Sequence, residues 1–195
     1  MFQRIRGPFV ALVMLACAAC AGLPPDAEEV GDGSLRLVRN EEGLRLRVAA
    51  GWEADAFPAP ELRDIVIEAE PALTDEAATR QAALALPLRE AFAVAPGPLQ
   101  VALHLRAIKP VSPGLNVLTT VLVLWPLDTG SLWITATVRD ASGRVLAVRD
   151  ERIRGRLRDV GKAFDPYAHL HAALRAWGAR CAQWPQCFSA ALPQP

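Results

Sequence analysis

Four cysteines, three histidines and a string of arginines are the side chains of this 195-residue chain whose types and spacing could do chemistry. A thiolate can act as a nucleophile, a metal ligand or one half of a disulfide. Cys181 and Cys187 lie close together near the C-terminal end and leave three readings open: a disulfide, free thiols or a metal site. A zinc site built on two cysteines needs histidines at suitable spacing. His169 and His171 are two positions apart, so on a helix they face different ways. No metal is therefore expected, and the disulfide is the default in an oxidising compartment. His104 alternates with apolar neighbours and reads as a solvated strand residue, while His169 and His171 read as boundary positions of a helix. Ser34, Ser112, Ser131, Ser142 and Ser189 lack the Gly-x-Ser-x-Gly setting that exposes a nucleophilic serine. No glycine-rich phosphate loop is present. Asp64, Asp150 and Glu151 have no evident partner in the sequence. These observations lead us to expect neither an enzyme nor a cofactor-binding protein.

The other two cysteines, Cys17 and Cys20, close a different kind of segment. Arg4 and Arg6 precede the apolar run from Pro8 to Ala16, and small residues follow. This is the order of a secretory signal peptide. The run falls short of the roughly 20 residues that a membrane-spanning helix needs. A cysteine at its end resembles the lipobox of bacterial lipoproteins, in which the thiol is acylated and the preceding peptide removed. Cys20, with Ala18 and Ala19 before it, is the better candidate, although Cys17 stands where leucine is usual. Cys17 remains the alternative, with bulky Leu15 against it, and so does an ordinary signal peptide cut near Ala21. Each buried methylene contributes about 0.8 kcal/mol, so several acyl chains anchor firmly where one binds only marginally. Lipoproteins retained in the inner membrane usually carry Asp after the cysteine. Here Ala21 follows Cys20, so the resemblance implies the periplasmic face of the outer membrane. Residues 1–19 are then the leader and 20–33 a Pro/Gly-rich tether.

Residues 34–190 remain for a single domain, and a hydrophobic content of 52% supports a real core. Basic and acidic side chains number 21 each. Loss of Arg4 and Arg6 with the leader tips the balance slightly negative, and no concentrated basic face points to nucleic acid. One local cluster stands out: Arg149, Arg152, Arg154, Arg156 and Arg158, interleaved with Asp150, Glu151 and Asp159. One reading is a solvated strand edge whose charges discourage aggregation. The other, for Arg152, Arg154, Arg156 and Arg158, is contact with an anionic surface such as lipid headgroups, which the forked guanidinium suits.

Alternation with period two marks the elements that would carry these residues. Strands are expected over Ser34–Arg39, Leu44–Val48, Asp64–Glu70, Leu99–Ile108, Ser131–Asp140 and Val145–Arg154, with turns at Asn40–Gly43 and Ala141–Arg144. The apolar Leu115–Trp125 stretch reads as a further buried strand, with a surface-exposed segment or a helix as alternatives. Thr74 can cap a helix that Pro87 interrupts. Asp165 caps a second one, on which Tyr167, Leu170, Leu174, Trp177, Cys181 and Trp184 recur at intervals of three and four. Trp177 should be deeply buried and Arg175 and Arg180 should face outward. The fold class is α+β: a mixed, mostly antiparallel sheet with two main helices packed on one face.

From Ala95 onward an ordered set of segments resembles a known family. They are Ala95–Leu103, Gly114–Thr120, Pro126–Gly130, Asp140–Ala147 and the helix up to Trp177. The family is that of Gram-negative lipoproteins termed domain of unknown function 3313. The resemblance spans about residues 60–184, and the family carries no established activity. Where its members have glutamates in the strand after Asp-Thr-Gly, this chain has Thr135 and Thr137, so any chemistry of those carboxylates is missing. The expectation is a non-enzymatic lipoprotein, held to the membrane by an N-terminal lipid, that binds an envelope protein or other envelope component. A periplasmic hydrolase with an unrecognised site is the alternative.

Overall fold

A computed structural model describes residues 34–68, 74–92, 97–112, 114, 116, 129–155 and 165–189. Six strands form one sheet: β1 (Leu35–Glu41), β2 (Leu44–Ala49), β3 (Glu61–Ile67), β4 (Leu99–Lys109), β5 (Ser131–Asp140) and β6 (Val145–Arg154). Their order across the sheet is β1-β2-β6-β5-β4-β3. Every neighbouring pair is antiparallel except β3 and β4, which run parallel. Parallel strands need a long connection. Here the chain between β3 and β4 carries two short helices, α1 (Asp75–Ala82) and α2 (Leu86–Ala91), joined by a 3-10 turn at Ala83–Ala85. The last helix, α3 (Ala168–Ala182), follows β6.

Local chemistry explains the boundaries. Glu42 and Gly43 form the tight turn between β1 and β2, and Gly43 adopts φ +76°, a conformation that costs glycine little. Asp140 organises the β5–β6 turn by accepting from Ser142 Oγ and from the Ser142 and Arg144 amides. The Ser142 hydroxyl bond is the main reason its carboxyl sits below the usual carboxylate range. Thr74 Oγ1 accepts from the Ala77 amide and caps α1. Pro87 sits in the first turn of α2, so the interruption expected at Pro87 falls one turn earlier, at the 3-10 turn Ala83–Ala85. Asp165 Oδ1 accepts from the Tyr167 and Ala168 amides and opens the turn that leads into α3.

Alternation places Leu99, Val101, Leu103 and Leu105 of β4, and Leu132, Ile134, Ala136 and Val138 of β5, in one core. Leu84, Leu88 and Phe92 of the first helical unit pack into that same core, as do Leu170, Leu174, Trp177 and Cys181 of α3. Phe92 and Trp177 meet with ring centroids 6.2 Å apart. The two helical units touch closely at Gly178, where an added Cβ would stand 2.9 Å from Ala91 Cβ. A residue larger than glycine there would push α2 and α3 apart.

Two differences from the sequence reading are informative. The third strand begins and ends earlier than Asp64–Glu70, because Leu62 already packs against the core. Residues 69 and 70 lie outside the described residues. The strand expected over Leu115–Trp125 lies outside them too, except Asn116, which is helical and buried. On α3 the buried stripe runs from Tyr167 to Cys181 as its spacing predicts, whereas Trp184 lies past the helix end and is only partly buried.

Trp177 is 1% exposed, the largest fully buried side chain among the described residues, while Arg175 on the same helix is exposed. Trp177→Ala should therefore cost about 3 to 5 kcal/mol in chemical denaturation. Arg175→Ala should move stability by less than about 0.5 kcal/mol. A Trp177→Ala protein that unfolds at the parent's denaturant midpoint would show that α3 does not pack as described.

Candidate functional site

Strand β6 holds adjacent carboxylates at Asp150 and Glu151, and alternation sends them to opposite faces of the sheet. Asp150 is 1% exposed, on the face away from the helices. It accepts from Arg47 at 3.1 Å, from Arg106 at 3.3 Å and from the Thr135 hydroxyl at 2.7 Å. Thr135 stands directly opposite it on β5, and Arg47 comes from the neighbouring β2. Burying a lone carboxylate is costly, and two guanidinium groups together with a hydroxyl compensate it here.

Glu151 faces α3. Its Oε2 accepts from Arg149 Nε at 2.9 Å, from Arg149 Nη2 at 2.7 Å and from the Trp177 indole at 2.7 Å. Its Oε1 accepts from Arg180 at 3.0 Å. Arg149 also donates to the Cys187 carbonyl, so the same ion pair ties the C-terminal turn to the sheet. Over Glu151 opens a groove of about 290 Å³. Residues 151–154 of β6 form one wall, and Ala173, Ala176, Trp177 and Arg180 of α3 form the other.

These contacts correct three points of the sequence reading. Asp150 and Glu151 are not isolated acids, since each is held by two arginines. The arginine-rich strand is not a sheet edge: β6 lies between β2 and β5, and Arg149 is buried. His169 is not a boundary residue, because it is only 2% exposed and, among the described residues, neither ring nitrogen has a hydrogen-bond partner. His171 is half-buried, and desolvation lowers its pKa despite the opposing charge of Asp165. His104 lies across from Thr135 on the face away from the core, partly buried.

Of the residues singled out earlier, Arg152 and Arg154 belong to the strand that walls the groove, but alternation turns them to the Asp150 face, while Arg156 and Arg158 lie outside the described residues. Cys17 and Cys20 also lie outside them. Cys181 and Cys187 are joined by a disulfide, with Cα atoms 4.7 Å apart. Arg180 faces outward, its side chain 64% exposed, yet its tip reaches Glu151. Among the described residues no three His, Cys, Asp or Glu side chains gather as a metal site would require, and no helix is long and apolar enough to cross a membrane. An aromatic cluster also went unread: Trp52 stacks on Phe57 at 5.2 Å and meets Trp184 edge-on at 5.9 Å, and Trp184 packs on Phe188 at 5.3 Å. The β2–β3 connection and the tail are far apart in sequence, so no local spacing announces that contact.

Fold and site together define an α+β domain with an open six-stranded sheet, helices on one face and a groove over Glu151 where α3 crosses β6. No family model matches the chain, and no curated protein does. Among solved structures it is similar to a point variant of the PelC dodecamer from Paraburkholderia phytofirmans, with a TM-score of 0.40 and 13% identity over 73% of this chain and 99% of that one. A second crystal form of the PelC dodecamer gives a TM-score of 0.39 and 11% identity over 72% and 96% of the two chains. These are distant likenesses of shape.

Removing Asp150 leaves Arg47 and Arg106 facing each other without their shared anion. Asp150→Ala should cost about 3 to 5 kcal/mol in denaturant titration. Arg144→Ala, which breaks the exposed Arg144–Asp140 pair, should cost at most about 1 kcal/mol. Equal effects from the two would mean that the Asp150 cluster is not a buried unit.

Proposed function

We propose that this protein is a lipid-anchored lipoprotein on the periplasmic face of the outer membrane, and that its domain acts by binding an envelope component rather than by catalysis. The observation that carries the reading is the Cys181–Cys187 disulfide. Disulfides persist in oxidising compartments such as the bacterial periplasm and are rare in the cytosol. It stands in a chain whose first twenty residues run from Arg4 and Arg6 through an apolar stretch to Cys20. The resemblance to the lipoprotein family of unknown function supports the same placement. The fully engaged carboxylates support a binding role: Asp150 and Glu151 accept from arginines on both faces of β6, which suits holding a surface in place better than moving protons.

Two measurements test this. The Cys181–Cys187 loop is short, so cross-linking it contributes about 2 kcal/mol in the chain-entropy account. In protein taken from the periplasmic side, both thiols should resist alkylation until reductant is added. Ready alkylation without reductant would remove the support for export. In cells fed a fatty-acid probe, the parent should be labelled, and Cys20→Ala should lose the label and accumulate as the larger precursor. Full labelling of Cys20→Ala moves the anchor to Cys17, and an unlabelled parent overturns the lipoprotein reading.

A further inference from the structure

We propose that the sheet face opposite the helices carries a binding site for a phosphate group, with Arg45 and Arg152 as the donors that meet it and Arg47 and Arg106 as a charged floor behind them. This deepens the envelope-binding reading and rests on it for the ligand's source; the chemistry of the site stands separately.

Strand register assembles the site. Arg45, Asp150, Thr135 and His104 line up across β2, β6, β5 and β4, and residues directly opposite one another share a face. Two residues further along β6, Arg152, Trp133 and Arg106 form the next row on that face. Arg47, two residues from Arg45 on β2, belongs to the row on the other side. Arg47 and Arg106 reach Asp150 at 3.1 and 3.3 Å, while Arg45 stands across from it and Arg152 is its next same-facing neighbour. Beside Arg152 the adjoining chain position is Gly43, whose carbonyl accepts from the Arg152 amide and which has no side chain to fill the space next to it.

These four guanidinium groups share one carboxylate. Asp150 is buried, and its oxygens are taken up by Arg47, Arg106 and the Thr135 hydroxyl. Among the described residues neither Arg45 nor Arg152 has a side-chain hydrogen bond or ion pair, and both are only partly exposed. Arg47 Nε is buried without an acceptor as well. Nearby acids do not restore the balance. Glu42 meets the exposed Arg154, at 3.8 Å, and Glu68 follows β3, at the other end of these rows from Arg45. Like charges gathered on a partly buried face repel, and the described residues hold no second anion to answer them. Arginine does not escape by losing its proton, so relief comes from an anion that binds.

Donor type selects the ligand. A carboxylate fills one guanidinium fork, whereas a phosphate offers three strong acceptor oxygens and up to two charges, which suits two unengaged forks over a positive floor. Both forks rise from interior strands, β2 and β6, so they are placed by rigid elements. The floor is shaped too. The β4 register slips directly after Arg106, where Ala107 adopts φ +46°, a conformation that strains a residue with a side chain. Bulges of this kind re-aim neighbouring side chains. Asp150, Arg47 and Arg106 are thus positioning residues, and contact with the ligand falls to Arg45 and Arg152.

Two sources share this chemistry, free phosphate and a lipid headgroup, and titration calorimetry on the full chain in neutral detergent separates them. The probes are inorganic phosphate and glycerophosphoglycerol, a deacylated headgroup with a phosphodiester, each against chloride at equal ionic strength. Saturable binding of inorganic phosphate alone assigns the site to free phosphate, and binding of the diester assigns it to the headgroup class. The double variant Arg45→Ala, Arg152→Ala should weaken binding at least about tenfold, since each lost bond is charge-assisted. Arg45→Lys with Arg152→Lys should recover part of it, because lysine restores the charge without the fork. Arg175→Ala, exposed on α3 across the sheet, should stay within about twofold. Near-ultraviolet circular dichroism checks that each variant keeps the parent's fold. Should the double variant fail to fold, Arg45→Ala and Arg152→Ala are compared singly, each with an expected loss of at least about threefold. Heats no different from chloride with both probes, or folded variants that bind like the parent, would overturn the inference. Either result leaves the lipid-labelling experiment untouched, so the phosphate site can fail while the anchor stands.

Discussion

The sheet depends on the neutralisation of two neighbouring carboxylates on its β6 strand. Asp150 and Glu151 are consecutive, so the pleat drives them to opposite faces, and a charge on either face of an interior strand needs compensation. The chain supplies it differently on each side. Toward the far face, Arg47 and Arg106 come from the strands β2 and β4, with Thr135 between them, so that Asp150 links four strands of the sheet. Toward the helices, Arg149 on the same strand, Trp177 and Arg180 close on Glu151 and fasten α3 to the sheet. The apolar core would bring sheet and helices together without these bonds, but it is indifferent to small slides. Directional, charge-assisted bonds from fixed strands and a fixed helix oppose such sliding. The groove over Glu151 follows from the same arrangement.

Much of the scaffold was legible in the sequence, for identifiable reasons. β5 and β6 alternate strongly and are separated by a turn rich in Asp, Ser and Gly, so both strands were read with their observed bounds. The stripe from Tyr167 to Cys181 repeats at three and four, a period that only a helix lays on one face. The break at Pro87 follows from a missing amide. What stayed hidden depends on residues distant in sequence. Leu44–Val48 reads as a strand, but nothing in it says that it pairs with β6 rather than with β3. That pairing is what makes β6 an interior strand and turns a presumed solvated edge into the ionic centre of the domain.

The candidate site was half visible for the same reason. Arg152 and Arg154 could be picked out as an unusual run of like charge, a local property, but the pleat turns them to the Asp150 face, away from α3. Arg180 could not, because on α3 it is one exposed arginine among others until the helix is laid against β6 and its tip meets Glu151. His169 went unread for a related reason. Its neighbours suggest a helix flank, and its burial is set by packing against Gly155, where an added Cβ would stand 2.8 Å from the histidine Cβ. Period and composition report what a segment is, and contacts between segments decide what it does.

The strand order has a consequence for how the molecule comes into being. β2 lies beside β6, and the contact between Arg47 and Asp150 joins residues 103 apart in the chain. Synthesis runs from the N-terminus, so the first hairpin is made long before the strand that completes its sheet. Until then β2 has an unpaired edge, and Leu46 and Val48, buried in the finished domain, have nothing to cover them. Two nearby hairpin strands, β5 and β6, can meet quickly once made, and the early hairpin then closes onto them across a long loop. The interval between those events is when the nascent chain is most open to aberrant pairing with its copies, so production depends on keeping the first hairpin apart until the second arrives.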